Sequence, residues 1–347
     1  MDAIICKESA LYYWRHHSDA LYDIPSILEY SPPRKGAVTC KTPCTATLDD
    51  LHSFGIVPEE KVELLVTDQL DRRALANTSL TVCAGPFPAG SFVRARMQLY
   101  VTCPELTFLM LARTLSLIEL LEVGYELCGT YRMLDDTPCY GLAPLTSAAR
   151  LRTYIERASH LYGSRKAREA AQWIKDNSGS PAETAIAIVL ALPYRKGGYG
   201  LDGFELNREI PLNETAAHLL GRSTVKPDEF FVESRHPIEY DSVRFHSGRE
   251  QADYDERRRN AYSAMGMAVT VVRPRHLANP ALFDDIVKSI RRNTGIGWNR
   301  TPEGYEVLNG RLLSDAFRYW GGLSATYGTG EAFNEQAAKW DKPELPW

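Results

Sequence analysis

The chain has 347 residues, which is enough for two or three domains. Hydrophobic residues make up 44% of it and charged residues 24%, as in ordinary globular proteins. This excludes a largely disordered, collagen-like or coiled-coil chain. No apolar stretch reaches the length of a membrane span, and residues 1–8 lack the basic-then-apolar order of a signal peptide. We therefore expect a soluble, cytoplasmic protein without a membrane partner.

The first half of the chain is predicted to alternate helices and strands. Helices are predicted at 6–17, 47–54 and 104–121, and strands at 61–67 and 92–101. A loop-like stretch, 134–148, precedes a helical region at 149–176 that is rich in Ala, Arg and Lys. We therefore predict a smaller α/β N-terminal domain over 1–145, followed by a helical linker over 146–177.

The second half has the pattern of a mixed α/β domain. Ser180 can cap a helix that has Pro181 at its first position and Glu183 three residues after the cap. Helices are predicted from 180 to about 192, at 251–265 and at 280–292, and strands at 204–210, 225–232, 236–241 and 268–273. This order predicts a mixed sheet flanked by helices over 178–300. Residues 301–347 are expected to form a C-terminal tail that packs on the core.

All 7 cysteines lie in the first half of the chain. An odd number in a cytoplasmic protein indicates reduced thiols and not a disulfide framework. Cys40 and Cys44 form a CxxxC pair, but no second pair follows that would complete a tetrahedral zinc site. We expect buried, apolar thiols and no structural zinc.

Charge is unevenly distributed along this chain, whose net charge is −4. The stretch 201–250 is acidic, and the stretches on either side of it, 151–200 and 251–300, are net basic. An acidic centre between basic flanks is typical of a metal-binding cluster beside phosphate-binding surfaces. Charged, solvent-facing helices would produce the same distribution, so charge alone leaves both interpretations open.

Three carboxylates are predicted to share one face of a two-stranded ribbon. We take residues 234–235 as a two-residue hairpin turn and count the register outward from it. Asp228 then lies opposite Asp241 and on the same face as Glu239. Like charges directly opposite each other are destabilising, so such a cluster either holds a proton or binds a hard cation. The alternative is that these acids are solvated on an exposed sheet face.

Six sequence pieces in this half follow one another in a recognisable order. They are Ser180-Pro181-Ala182-Glu183, Asp228, Glu239-Tyr240-Asp241, His246, Asp255-Glu256-Arg257-Arg258, and Gly266 with Val269 to Arg273. Together they resemble the PD-(D/E)XK nucleases, most closely the endonuclease-like domains related to very-short-patch repair enzymes. The resemblance covers residues 178–293 and implies a C-terminal restriction-endonuclease-like fold.

The resemblance also implies metal-dependent hydrolysis of nucleic-acid phosphodiester bonds. The implied catalytic residues are Glu183, Asp228, Glu239, Asp241, His246 and Arg258, with Glu183, Asp228 and Glu239 as ligands of Mg²⁺ or Mn²⁺. The chain departs from the family pattern because Asp241 replaces the usual lysine, Ser242 replaces a glycine and His246 lies one place late. These departures favour the alternative, a catalytically inactive nuclease fold that acts as a DNA-binding regulator or antitoxin-like protein.

Basic residues near the end of this domain are candidate contacts with nucleic acid. They are Arg257, Arg259, Arg273, Arg275, Arg291 and Arg292. For Arg291 and Arg292 the alternative is a favourable interaction with the dipole of a helix end. The expected partner is nucleic acid, DNA in the first instance, and the sequence is also compatible with a protein partner.

The first 145 residues carry a second resemblance. Residues 6–11, Cys-Lys-Glu-Ser-Ala-Leu, and 99–105, Leu-Tyr-Val-Thr-Cys-Pro-Glu, resemble the middle region of abortive-infection type IV antitoxins. Those proteins join a DNA-binding N-terminal module to a nuclease-like C-terminal fold, so the resemblance implies a bacterial protein of phage defence. The winged-helix start of that family is not evident in this sequence, which argues against the recognition of an operator.

Overall fold

The computed structural model describes residues 3–17, 55, 61–67, 77–96, 99–241 and 249–318. Within them the chain has the predicted mixed α/β class, with 11 helices and mixed sheets. It divides into two compact units, residues 1–128 with 145–174 and residues 129–144 with 175–347. The division differs from the predicted one, because the helical stretch expected as a linker belongs to the first unit up to residue 174.

The first unit is built on a five-stranded sheet. Its strands are β1 Ala3–Ile5, β2 Val62–Val66, β3 Thr78–Val82, β4 Phe92–Arg96 and β5 Leu99–Thr102. They lie in the order β3-β2-β1-β5-β4, with β1 parallel to β5 and antiparallel to β2. The apolar strand predicted at 61–67 is confirmed as β2, which is buried along its whole length. The single strand predicted at 92–101 is instead the antiparallel pair β4 and β5.

Five helices belong to the first unit. They are α1 Lys7–His16, α2 Pro104–Leu111, α3 Leu117–Cys128, α4 Ala148–Arg157 and α5 Ser164–Ala171. The helix predicted at 104–121 is interrupted, because Ser116 and Glu119 cap each other's backbone N–H and start α3. The helix predicted at 47–54 and the pair Cys40 and Cys44 lie outside the described residues. The cysteines within the described residues are free thiols.

The second unit holds the predicted mixed sheet. Its strands are β6 Tyr131–Leu134, β7 Thr137–Tyr140, β8 Phe204–Leu206, β9 Ile210–Pro211, β10 Thr224–Val225, β11 Glu229–Phe231, β12 His236–Tyr240 and β13 Thr270–Val272. Four of them form one sheet in the order β13-β12-β11-β8. β12 and β13 are parallel and the other neighbours antiparallel. The pairs β6 with β7 and β9 with β10 are separate.

Six helices complete the second unit. They are α6 Pro181–Ala191, α7 Glu214–Leu220, α8 Arg249–Ala264, α9 Pro274–Leu277, α10 Pro280–Thr294 and α11 Tyr305–Ala316. The predicted start of α6 is confirmed, since the Ser180 hydroxyl accepts the N–H of Glu183 over 3.2 Å. From residue 182 to residue 191 this helix is completely buried. Its first turn therefore carries Glu183 into the protein interior.

The two faces of the second sheet bury different side chains. Phe230 of β11 packs in an apolar cluster with Ala261 and Tyr262 of α8. Phe231 points to the opposite face, where its ring lies 5.3 Å from that of Phe204. In the predicted tail, α11 buries Leu312, and residues beyond 318 lie outside the described part. No helix in the described ranges has the length and apolar character to cross a bilayer.

Candidate functional site

The candidate acidic site lies at one end of β11 and β12. These strands pair antiparallel, with Phe231 opposite His236. The turn between them is residues 232–235, and Arg235 takes a left-handed conformation there, with φ of 53°. The sequence analysis assumed a two-residue turn at 234–235, so its register is wrong by two positions. The wider turn is the physical reason for the error.

A register shift of two residues leaves each side chain on its expected face. Asp228 and Glu239 therefore still share one face, but the ladder brings Asp228 level with Glu239 and not with Asp241. The pairing of Asp228 with Asp241 is thus incorrect. The backbone N–H of Tyr240 donates to Asp228 Oδ2 over 2.7 Å. This bond holds the Asp228 side chain against the end of β12.

Glu239 is 8% exposed and has partners on α8. The Tyr262 hydroxyl donates to its Oε1 over 2.5 Å. Arg258 Nη2 lies 2.5 Å from its Oε2. This second contact is an ion pair without hydrogen-bond geometry, since Nη2 donates to the carbonyl of Lys226. Arg258 is therefore at the predicted site, but it is bound to a carboxylate.

The environment of Glu239 strongly favours its protonated form. Burial raises the pKa of Glu239 to about 8, against the opposing effect of Arg258. Asp228 and Glu183 raise the pKa further, which shows that their charges act on the same region. Strongly perturbed carboxyls that influence one another are typical of functional sites.

Glu183 reaches this region from the first turn of α6. Its side chain is 2% exposed. Its Oε2 accepts hydrogen bonds from the N–H of Gly179 over 2.7 Å and from Asn207 Nδ2 over 2.5 Å. Asn207 directly follows β8, so the end of the sheet helps to orient the helix carboxylate. The sequence analysis named Glu183 but not Asn207, which carries no motif.

Glu229 is a fourth acid at this end of the sheet, and the sequence analysis missed it. The residue is 0% exposed, and neither of its carboxyl oxygens has a hydrogen-bond partner in the described structure. Burial, followed by Asp228, Glu183 and Glu239, raises the pKa of Glu229 well above its ordinary value. It was counted as part of an apolar strand. The available signal was a charged residue alternating with Phe230 in that strand.

Asp241 is separated from the other acids by its own partner. Its Oδ2 lies 3.1 Å from Nε of Arg273, which follows β13. The resemblance expects a lysine at position 241, and the structure has an ion pair of opposite arrangement there. His246, the other predicted catalytic residue of this stretch, lies outside the described residues.

The predicted nucleic-acid contacts differ in how accessible they are. Arg257, Arg259, Arg275 and Arg292 are exposed. Arg273 is held by Asp241, as described above. Arg291 is 4% exposed and its guanidinium donates to Tyr194 Oη and to the carbonyls of Tyr199 and Gly297. The prediction for Arg291 is therefore corrected, because the protein itself occupies its donors.

No group of three or more His, Cys, Asp or Glu side chains in the described ranges is arranged to hold one metal ion. A cation at the acidic site would thus have at most two of these side chains as ligands. Comparison with protein-family models, with curated proteins and with solved structures gives no match. Any functional conclusion therefore depends on the site itself.

Proposed function

We propose that the second unit binds Mg²⁺ or Mn²⁺ and hydrolyses phosphodiester bonds in nucleic acid, DNA in the first instance, within the bacterial cytoplasm. One observation carries the proposal. Glu183, Asp228, Glu229 and Glu239 influence one another's ionisation at one end of β11 and β12, and Glu229 has no hydrogen-bonding partner among the described residues. Four acids in mostly buried positions are costly unless a cation compensates their charge.

The donor set is suitable for a hard cation. All four side chains offer oxygen, the ligand atom that Mg²⁺ prefers. This ion commonly uses only one or two carboxylates and keeps several waters, so a preformed group of three ligands is not required. When bound, it would polarise a phosphate and make a bound water more acidic.

The protein's own side chains would position the cation and the substrate. Tyr240 N–H orients Asp228, and Asn207 and Gly179 orient Glu183. The basic side chains of Arg257 and Arg259 are exposed on α8, the helix that carries Arg258. Exposed arginines beside an acidic site are suited to the phosphates that flank a bond to be cleaved.

The test is a cleavage assay with the full chain. Single- and double-stranded DNA and RNA are incubated with Mg²⁺ or Mn²⁺ and with EDTA. Wild type is expected to cleave at least one of these substrates only when the divalent ion is present, and Asp228→Ala is expected to abolish cleavage. Glu205→Ala is the matched control, because Glu205 is an exposed acid of β8 whose ion pair with Arg208 lies outside the site. Cleavage that survives in Asp228→Ala would refute the proposal.

A second candidate function has one observation in its favour. The ion pairs of Glu239 with Arg258 and of Asp241 with Arg273 already neutralise two of the predicted catalytic acids. A nuclease-like unit with such a site would act as a DNA-binding regulator or an antitoxin-like protein of phage defence, which agrees with the resemblance of the first 145 residues. Wild type that binds DNA, never cleaves it and is unaffected by Asp228→Ala would establish this candidate in place of the first.

A further inference from the structure

The carboxyl oxygens of the acidic site are unequally occupied. Both oxygens of Glu239 have a protein partner, Tyr262 on one and Arg258 on the other. Glu183 Oε2 already accepts two hydrogen bonds. In contrast, neither oxygen of Glu229 has a partner in the described structure. The acid that the resemblance does not include is thus the one most in need of a ligand.

Asp228, the residue before Glu229, also has an oxygen to offer. Its Oδ2 accepts the N–H of Tyr240, and its Oδ1 receives no hydrogen bond from the described residues. The backbone bond fixes the carboxylate without neutralising it, since a backbone amide carries no net charge. Among charged groups, Asp228 has the largest effect on the ionisation of Glu229, so the two carboxyls are electrostatic neighbours.

We propose that Glu229 and Asp228 are the two protein ligands of the divalent cation, and that Glu239 instead holds Arg258 in place. This inference rests on the proposed cation-dependent function and changes its predicted ligand set. Two carboxylates completed by waters agree with the absence of a three-ligand group in the described ranges. Glu183 contributes negative potential from α6.

A purely structural role for Glu229 fits the observations less well. A protonated carboxyl still has an O–H donor and a carbonyl acceptor, and both need partners in a buried position. Leaving them unpaired costs about 1–3 kcal/mol per group. An apolar side chain on that face would avoid the cost, as Phe231 does two residues later. A cation between Glu229 and Asp228 would satisfy the unpaired oxygens directly.

The test is calorimetric titration of the full chain with Mn²⁺, without nucleic acid. Glu229→Gln keeps the size of the side chain and removes its charge, and it is expected to weaken Mn²⁺ binding by about tenfold or more, at least the loss seen when a partner of a metal site is removed. The double variant Glu239→Gln with Arg258→Met removes a neutralised pair and is expected to weaken Mn²⁺ binding less. Glu205→Gln, on exposed β8, is expected to bind as wild type does. Far-UV circular dichroism confirms that each variant is folded.

The outcomes separate this inference from the proposed function. If Glu229→Gln binds Mn²⁺ as wild type does while the double variant loses binding, the inference is overturned and the original ligand set, with its function, stands. If wild type binds no Mn²⁺, both are overturned. If Mn²⁺ binds through Glu229 but no substrate is cleaved, the cation site stands and the hydrolase proposal fails. If Glu229→Gln does not fold, Glu229→Asp, which retains the charge, must bind Mn²⁺ measurably or the inference is rejected.

Discussion

Charged side chains at the end of β11 and β12 are stabilised mainly by one arginine. Arg258 has a side chain that is 23% exposed, and it lies against Glu239, whose side chain is 11% exposed. A pair in such a position contributes little net stability when intact, but removing one partner leaves the other charge uncompensated. The ion pair therefore constrains which substitutions the site tolerates.

Arg258→Met is expected to lower the free energy of unfolding by about 3 kcal/mol, because it leaves the Glu239 carboxylate buried without its cation. Adding Glu239→Gln should recover most of that loss. Urea denaturation of the single and double variants measures both effects. The matched control is Arg208→Met, whose exposed pair with Glu205 should cost less than about 1 kcal/mol. Equal losses for Arg258→Met and Arg208→Met would contradict this account.

His236 gives the second unit a dependence on pH. Its side chain is 2% exposed, and burial lowers its pKa below the ordinary 6.5. The unfolded chain therefore takes up a proton at a higher pH than the folded chain, so stability is fully present above 6.5 and is lost as the pH falls. His236→Gln should reduce this loss, whereas His218→Gln, an exposed residue of α7, should not. Urea denaturation between about pH 5 and 8 tests it; an unchanged pH slope in His236→Gln would exclude His236 as the cause.

Two elements determine the geometry of the site, and they do so differently. α6 starts at a local signal, the Ser180 cap, and its buried length fixes Glu183 in the interior. The pairing of β11 with β12 depends on the four-residue turn 232–235, in which Arg235 has positive φ. The helix could be predicted from neighbouring residues, and the register could not, because several turn lengths suit the same sequence.

Ser180→Ala is expected to destabilise the second unit by about 1 kcal/mol, because the N–H of Glu183 loses its hydrogen-bond acceptor. Since this cap orients the turn that carries Glu183, the variant should also weaken Mn²⁺ binding. Ser147→Ala removes the equivalent cap of α4 in the first unit and should cost similar stability without any effect on Mn²⁺. Thermal unfolding and calorimetry measure the two properties separately. Equal Mn²⁺ affinity in both variants would show that the α6 cap does not orient the site.

The whole molecule has two units, and the proposed chemistry belongs to one of them. All described residues of the candidate site lie in the second unit, in 175–241 and 249–318. The first unit has its own sheet and its own buried ion pair, Arg15 with Glu126 at 2.7 Å. A ligand of the second unit should therefore change the local stability of that unit first.

Mn²⁺ is expected to slow amide hydrogen exchange in peptides that cover β11, β12 and the start of α6. Exchange in peptides that cover β1 and β2 should stay the same, because those strands belong to the other unit. Hydrogen-exchange mass spectrometry of the full chain, with Mn²⁺ and with Ca²⁺ as a control for a larger cation, gives the comparison. Protection spread evenly over both units would indicate nonspecific binding.

Replacing Arg257 and Arg259 with Ala should weaken the binding of every nucleic-acid sequence. It should also reduce the slope of affinity against salt by about 1 for each phosphate that the protein no longer neutralises. Both side chains are exposed on α8. Arg208→Ala, which removes an exposed arginine paired with Glu205, is the control and should leave the slope unchanged. Fluorescence anisotropy at several salt concentrations measures it. An unchanged slope in the Arg257 and Arg259 variant would remove α8 from the binding surface.

Local patterns in the sequence were sufficient to predict the mixed α/β class, β2, the start of α6 and the placement of Asp228 and Glu239 on one face. These features follow from relations among residues close in the chain, such as apolar alternation, a serine cap and the twofold period of a strand. The predicted faces were correct despite the error in register, because that error was an even number of residues.

The partners of the charged side chains, in contrast, could be established only from the packed structure. Arg258 binds Glu239, Arg273 binds Asp241, and Arg291 is buried among carbonyls and Tyr194. Likewise, nothing in the sequence around Glu229 indicated that both of its carboxyl oxygens would be buried without a partner. Ion pairing and desolvation depend on distances between residues remote in the chain, and these distances exist only once the sheet and its helices have packed.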